Sequence, residues 1–410
     1  MLNIKMNKLS LALFFLLAGN ATYAQPKTLH DDIQSIVNSY LAKEGKQEHV
    51  SGISLSISYP DQQNMKTENF YAGTRTHKIP AKPVTKTTLF DTGSITKSYT
   101  TAIILQLESE GHLDINDPIG KWLPQYTMWK DVKIKQLLNM TSGIPNYSND
   151  DAFNDYQEKN LHGEYTDEFL LSFAHPDKAI TPGKKYEYSN SNYILAGMII
   201  EAITKQNYAD VLQERILGPL HLNDTFYAAG PNWKYVNKIT FPRKAHGYYF
   251  DYKKNKLLDL TRVNLSWGGA AGAIVSTTAD QLKWVDALYH GTIFPEKDRA
   301  KLLHELTSVV SMKTGQPINT VDENDPFGFG LGVGYAYEKN QRFWYYEGST
   351  LGYRMLYTWK QCNNVTVAAA LNSKGGEGDA DSPVSDKISK LVSESYAKII
   401  ELNPNLNCND

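Results

Sequence analysis

The chain is poor in cysteine: Cys362 and Cys408 are the only two among 410 residues. So few thiols exclude a disulfide-scaffolded miniprotein and a cysteine-rich metal module. An excess of either charge is also missing, since 42 Lys and Arg face 44 Asp and Glu for a net charge of −2, and no basic run disturbs the balance. A nucleic-acid partner is therefore not expected, because a polyanion would find no electrostatic footprint. Fixed-period repeats and low-complexity tracts are lacking, which excludes a solenoid. There is no phosphate loop or dinucleotide fingerprint, and the ten histidines, His246 among them, show neither i, i+4 pairing nor clustering with cysteine. No metal and no cofactor are expected on these grounds.

What is present is a chain of 41% hydrophobic residues, long enough to bury a large core. Its opening, "MLNIKMNKLSLALFFLLAGNATYAQ", sets Lys5 and Lys8 before an apolar run from Leu9 to Ala18 and ends in small and polar residues at Ala24. That pattern reads as a secretory signal peptide over residues 1–24, cleaved after Ala24. No later stretch approaches the length of a membrane span, and no cysteine follows the apolar run to accept lipid. A soluble, exported protein, periplasmic or secreted, is expected. Under oxidising conditions a Cys362–Cys408 disulfide is expected over two unrelated thiols. If Cys362 lies in the turn before "VTVAAALN" and a helix from about Val384 to Ile400 runs back along that strand, Cys408 returns to the same end of the sheet.

Hydrophobic spacing predicts a helix in "LHDDIQSIVNSYLAKEG", then a hairpin in which "SGISLSISY" pairs with "ENFYAG". In the last third, "FGLGVGYAYE", "RFWYYEG", "YRMLYTWK" and "VTVAAALN" read as successive antiparallel strands closed by a C-terminal helix. Between these regions, "SITKSYTTAIILQLESEG", "VKIKQLLNMTSG", "NYILAGMIIEAITKQ" and "TADQLKWVDALYHG" carry helical spacing, with long loops between them. The expected architecture is one α/β domain over residues 25–410. An α/β lobe (about 25–90 and 292–410) holds an inserted, mainly helical lobe (about 91–291). A crevice between the lobes is the expected place for small-molecule chemistry.

Two motifs carry chemistry. Ser94 and Lys97 in "TGSITK" stand at the start of the longest helix, and i, i+3 spacing puts both on one face. An amine whose pKa is lowered by burial can activate a serine hydroxyl, and the free N–H groups of a helix start can stabilise an oxyanion. The same spacing recurs at Ser395 and Lys398, where nothing else points to chemistry. In "PGKKYEYSNSNYILAGMII", Tyr188 can shuttle the serine proton and Asn190 can hold a substrate carbonyl. "YSN" also occurs at Tyr147 to Asn149, and there a turn-forming role is the plainer reading.

The blocks "FDTGSITKSYTTAIILQLESEGHLDINDPIGKWLP", "IKQLLNMTSGIPNY", "PGKKYEYSNSNYILAGMIIEAITKQ", "ILGPLHLNDTFY" and "GGAAGAIVSTTADQLKW" resemble, in order, the serine hydrolases related to class C β-lactamases and secreted D-alanyl-D-alanine carboxypeptidases. The resemblance runs from about Asp31 to about Leu371. It implies a β-lactamase/DD-peptidase-like α/β fold, an antiparallel sheet flanked by the terminal helices plus the helical lobe. It also implies Ser94 as acyl-enzyme nucleophile, Lys97 as its activating partner, Tyr188 as general base and acid, and Asn190 as substrate ligand. The third family motif, a strand triad of the type [KH]-[TSG]-G, is altered. Aligning "YEGSTLGY" puts Tyr346 at the cationic position, Glu347 at the hydroxyl position, Gly348 at the glycine and Ser349 at the second oxyanion donor.

That departure bears on substrate. The expected reaction is D-Ala-D-Ala carboxypeptidase-like hydrolysis of cell-wall peptides with altered carboxylate recognition. An esterase, or an amidase or aminopeptidase in which Glu347 receives an ammonium, is the first alternative; a catalytically inactive scaffold is the second. β-Lactam turnover is disfavoured by the changes at Tyr346 and Glu347. Arg354 could neutralise Glu347, or Lys184 or Lys185 could replace the lost cation. Trp267, in "LSWGGAAGA", is a candidate for lining the crevice.

Overall fold

The computed structural model describes residues 27–374 and 386–408. The proposed signal peptide lies outside them. Helix α1 (Leu29–Glu44) starts where Thr28 caps it, the hydroxyl accepting from the Asp31 N–H while the Asp31 carboxylate accepts in return. The hairpin β1 (Gly52–Asp61) and β2 (Asn64–Gly73) follows. After the inserted lobe come β3 (Val310–Ser311), β4 (Phe327–Phe329), β5 (Gly334–Glu338), β6 (Gln341–Ser349), β7 (Arg354–Lys360) and β8 (Val365–Leu371). They form one eight-stranded sheet in the order β2-β1-β8-β7-β6-β5-β4-β3, antiparallel throughout. The N-terminal hairpin docks on the last strand, with Leu55 opposite Ala369 and Ile57 opposite Val367.

Alternation along these strands separates two cores. On one face Ile33 and Val37 of α1, and Ile388, Leu391 and Ile399 of the C-terminal helix, pack on Leu55, Leu356, Val367 and Ala369. On the other face Met355, Tyr357, Ala368 and Ala370 meet the inserted lobe. The lobe's main helices are α2 (Thr96–Ser109), α3 (Asn190–Thr204) and α4 (Thr278–Tyr289); α5 (Asp386–Leu402) closes the chain. Thr278 ties α4 to β1, its hydroxyl lying 2.8 Å from Ser54 Oγ and 2.7 Å from Ser56 Oγ. Cys362 and Cys408 are disulfide-bonded, which fixes the chain end to the turn before β8. Among the described residues no helix is long and apolar enough to cross a membrane.

Three local expectations are corrected. "FGLGVGYAYE" is two strands, because the chain turns at Gly330–Gly332; a Cβ at Gly332 (φ +73°) would come within 2.5 Å of Thr101 Oγ1 and 3.0 Å of the Lys97 carbonyl on α2. The helix expected in "VKIKQLLNMTSG" is confined to Ile134–Leu138, since Met140 adopts φ +62°. The lobe also holds short strands that the spacing did not show: Phe90–Asp91, Phe226–Tyr227 and Ile274–Ser276 form one small sheet, and Tyr248–Asp251 pairs with Lys256–Asp259.

Candidate active site

Ser94 sits in a turn of 3-10 helix, Gly93–Ile95, that feeds directly into α2. The first N–H groups of such a helix have no intrahelical acceptor, so that of Ser94 points out of the turn. Two glycines let this turn touch β6 backbone to backbone. A Cβ on Gly93, which needs φ +52°, would lie 2.6 Å from the Ser349 nitrogen; one on Gly348 would lie 1.8 Å from the Thr92 carbonyl oxygen and 2.7 Å from the Ser94 nitrogen. The backbone of Gly348–Ser349 therefore forms a wall beside the Ser94 turn. Behind it, Lys244 Nζ is 2.5 Å from Asp91 Oδ1 in a pair buried on both sides, and Thr350 Oγ1 donates to Asp91 Oδ2 at 3.2 Å.

Around Ser94 Oγ the structure gathers Lys97 of α2, Tyr188 of the loop just before α3 and, through Lys97, Asn190 at the start of α3. Tyr188 Oη lies 2.6 Å from Ser94 Oγ, and Lys97 Nζ lies 3.0 Å from it on the next turn of its own helix. Lys97 Nζ also donates to Asn190 Oδ1 at 2.7 Å and to the Ala271 carbonyl at 2.9 Å. Asn190 is the first residue of α3, and Ala271 belongs to a single helical turn, Gly269–Gly272. Lys97 is fully buried, and its hydrogen-bond partners are all neutral groups. Desolvation accordingly drives its pKa well below the ordinary lysine value of 10.5.

Tyr188 is 36% exposed, and its hydroxyl turns to Ser94. Burial of that oxygen pushes its pKa up to about 12, against the opposing pull of the Ser94 and Tyr346 hydroxyls. The phenol therefore holds its proton at neutral pH. Lys97 Nζ stands 4.9 Å from the centre of the Tyr188 ring and 5.6 Å from that of Tyr193. Tyr346, buried and edge-on to Phe329, places its hydroxyl beside that of Tyr188 without a well-formed hydrogen bond. Desolvation raises its pKa well above 10, so it enters the site as a neutral group.

Glu347 is not in this group. Strand alternation turns it away from Tyr346, to the face where its cross-strand neighbour Leu356 packs with the terminal helices. Its expected place on the crevice wall is thereby corrected. Arg354 lies on that same face, buried, and forms an ion pair with Glu48, which also accepts from Tyr40 Oη at 3.0 Å. Lys185 pairs with Glu187 at 2.6 Å on an exposed loop. Trp267 contributes through its carbonyl, which accepts from Tyr147 Oη, and its ring is half-buried.

The repeated motifs part company in space. Ser395 donates to the Leu391 carbonyl at 2.8 Å within α5, and Lys398 pairs with Glu401 at 2.6 Å, so that second serine–lysine pair is structural. In the second "YSN", Tyr147 is buried, but Ser148 Oγ accepts from Asn190 Nδ2 at 3.0 Å. Sequence reasoning passed over Ser148, Asn146 and the Ala271 carbonyl. The repeat at 147–149 was the one available signal for the first two.

A Beta-lactamase family profile matches residues 37–386. The chain belongs to the beta-lactamase family. The family is one of serine hydrolases of the β-lactamase and penicillin-binding type. Protein flp of Staphylococcus aureus strain MRSA252 is 31% identical over 211 residues, which is 50% of this chain and 40% of that protein. The chain thus spans well under two thirds of that relative. Among solved structures, a D-stereospecific amidohydrolase from Streptomyces sp. superposes with a TM-score of 0.70 at 25% identity, covering 89% of this chain and 98% of the other. A D-amino acid amidase from Ochrobactrum anthropi SV3 gives 0.74 at 25% identity, covering 92% and 99%. In this family's fold, the chain carries a neutral tyrosine where the resemblance leads one to expect a lysine or histidine.

Proposed function

We propose that the protein hydrolyses D-amino-acid amides or esters through an acyl-enzyme on Ser94, in preference to peptides with a free terminal carboxylate. The observation that carries this reading is Tyr346: the wall position facing Tyr188 holds a buried, neutral hydroxyl in place of a cation. A substrate carboxylate would find a hydrogen-bond donor there but no charge, whereas an amide or ester leaving group needs none. The two amide-hydrolysing neighbours, matched over nearly the whole chain, support the choice. Glu347 receives no substrate ammonium on this reading, because its side chain belongs to the other face of the sheet.

The steps follow from the proton inventory. Ser94 Oγ bonds to the acyl carbon as its proton passes to Lys97 Nζ; the bond to the leaving nitrogen or oxygen breaks as that atom takes the Tyr188 proton. The Ser94 and Ser349 N–H groups face the oxyanion. An ammonium and a phenolate then flank the ester. In deacylation Tyr188 takes a proton from the attacking water, and Lys97 returns its proton to Ser94 Oγ, which restores the starting state. Export is part of the proposal, and the Cys362–Cys408 disulfide fits an oxidising compartment. Purified protein should hydrolyse D-phenylalanine amide and p-nitrophenyl esters faster than D-Ala-D-Ala peptides, and Ser94→Ala should abolish all of it. Turnover of the carboxylate peptide alone would overturn the substrate assignment.

A further inference from the structure

The nucleophile's activation depends on which way a single amide points, and the chain of contacts that fixes it begins 44 residues before Asn190. Asn146 Oδ1 accepts from two backbone groups, the Asn190 N–H at 3.0 Å and the Ser148 N–H at 3.4 Å. A backbone N–H only donates, so the oxygen of Asn146 is held at that spot. Ser148 Oγ lies 3.0 Å from the same oxygen and must spend its one hydrogen there. Its lone pairs then face Asn190, which puts the Asn190 Nδ2 on that side, at 3.0 Å, and turns Asn190 Oδ1 to Lys97.

The consequence falls on Lys97. As an ammonium it has three hydrogens for three neighbours: Asn190 Oδ1, the Ala271 carbonyl and Ser94 Oγ. When it loses one, two of those neighbours are pure acceptors and keep theirs. The lone pair is left facing Ser94 Oγ, the one neighbour with a proton to give. We propose that Asn146 and Ser148 form a polarity clamp that orients the Asn190 amide and so reserves the Lys97 lone pair for Ser94; both are positioning residues. This rests on the Ser94 hydrolase reading for its catalytic meaning, but the clamp itself is a statement about hydrogen-bond direction. It also assigns a role to the second "YSN", whose tyrosine stays structural while its serine serves the site.

Ser148→Ala frees the amide to turn its NH2 toward Lys97, where it would occupy the lone pair and disfavour the ammonium. Expected for Ser148→Ala is a fall in kcat for p-nitrophenyl acetate on the order of tenfold with KM within about twofold. The Lys97 titration, followed by NMR of 13C-labelled lysine and assigned with Lys97→Arg, should move to lower pH. Ser148→Thr, which keeps the hydroxyl, should restore both. Wild-type kcat and an unmoved Lys97 titration in Ser148→Ala would overturn the clamp, as would equal losses in Ser148→Ala and Ser148→Thr. If the wild-type protein shows no Ser94-dependent turnover, the hydrolase reading fails, and the Lys97 titration still decides the clamp.

Discussion

Replacing Gly348 by alanine tests whether the end of β6 and the nucleophile turn work as one unit. A Cβ there would stand 1.8 Å from the Thr92 carbonyl oxygen, while Cβ contacts essentially never fall below 3.0 Å. The two backbones must therefore part by roughly 1.2 Å, and neither is the flexible end of a side chain that could swing aside. Such a displacement moves the Ser349 N–H away from the oxyanion position while leaving Lys97 on its helix and Tyr188 in the loop before α3. Loss of one oxyanion donor is worth about 2.7–4 kcal/mol in the transition state, or about 10²–10³ in rate, and a misplacement near 1 Å is on the same scale. Acylation by an active-site fluorophosphonate, timed by stopped reactions on gels, should slow by that factor in Gly348→Ala. Ser349→Ala keeps its N–H and should label at the wild-type rate. Wild-type labelling by Gly348→Ala, with an unchanged melting temperature, would refute the argument that this wall carries the oxyanion donor.

Three further outcomes follow from buried charge. The acylation rate should climb with pH as Lys97 loses its proton and level off well below pH 10.5; Lys97→Arg, permanently charged, should lower it by about 10² or more, and an Arg variant of wild-type rate would sink the general-base role. Glu108, beside Glu305 and Lys301, has its carboxyl pushed up to about 7 by burial and by Glu305, from 4.5. The native protein keeps that proton where the unfolded chain has lost it, so stability falls as pH rises from about 4.5 to 7, by about 1–3 kcal/mol. Glu108→Gln should remove that part of the slope between urea midpoints at pH 5 and pH 8, and an identical slope in both proteins would refute it. Lys244→Met strands Asp91 in the interior and should cost about 3–5 kcal/mol, with partial recovery on adding Asp91→Asn; a variant as stable as wild type in urea would show that the pair matters little.

Much of the fold was legible because burial writes a period into the chain. The alternation of apolar residues with serine in β1 and the long apolar runs of α2 and α3 mark their positions before any coordinates are considered. The break between β4 and β5 was not legible. It exists because Gly332 passes against Lys97 and Thr101 of a helix more than 200 residues earlier, and local spacing carries no trace of that approach. The short strands beside Ser94 are similar: Phe90–Asp91 is held by Ile274–Ser276, and two residues show no period.

The site divides along the same line. Ser94, Lys97 and Tyr188 could be found because each lies in a recognisable block, whereas residue spacing alone left open which of two serine–lysine pairs and which of two "YSN" copies mattered. Spatial neighbours decide the first: Lys398 has an acid beside it, while Lys97 is buried among neutral acceptors, and that burial pushes its pKa well below the ordinary lysine value. The second choice proves to be no choice, since Ser148 of one copy orients Asn190 of the other. Glu347 shows the opposite failure. Alternation between Tyr346 and Glu347 was visible in the sequence and already required that only one of them face Ser94. Setting both in the crevice followed the alignment of a motif at the expense of the pleat, and the pleat prevails because Leu356 and the terminal helices bury the other side. On the proposed reading the substrate rule rests on a neutral phenol, and the carboxylate next to it belongs to the far face of the sheet.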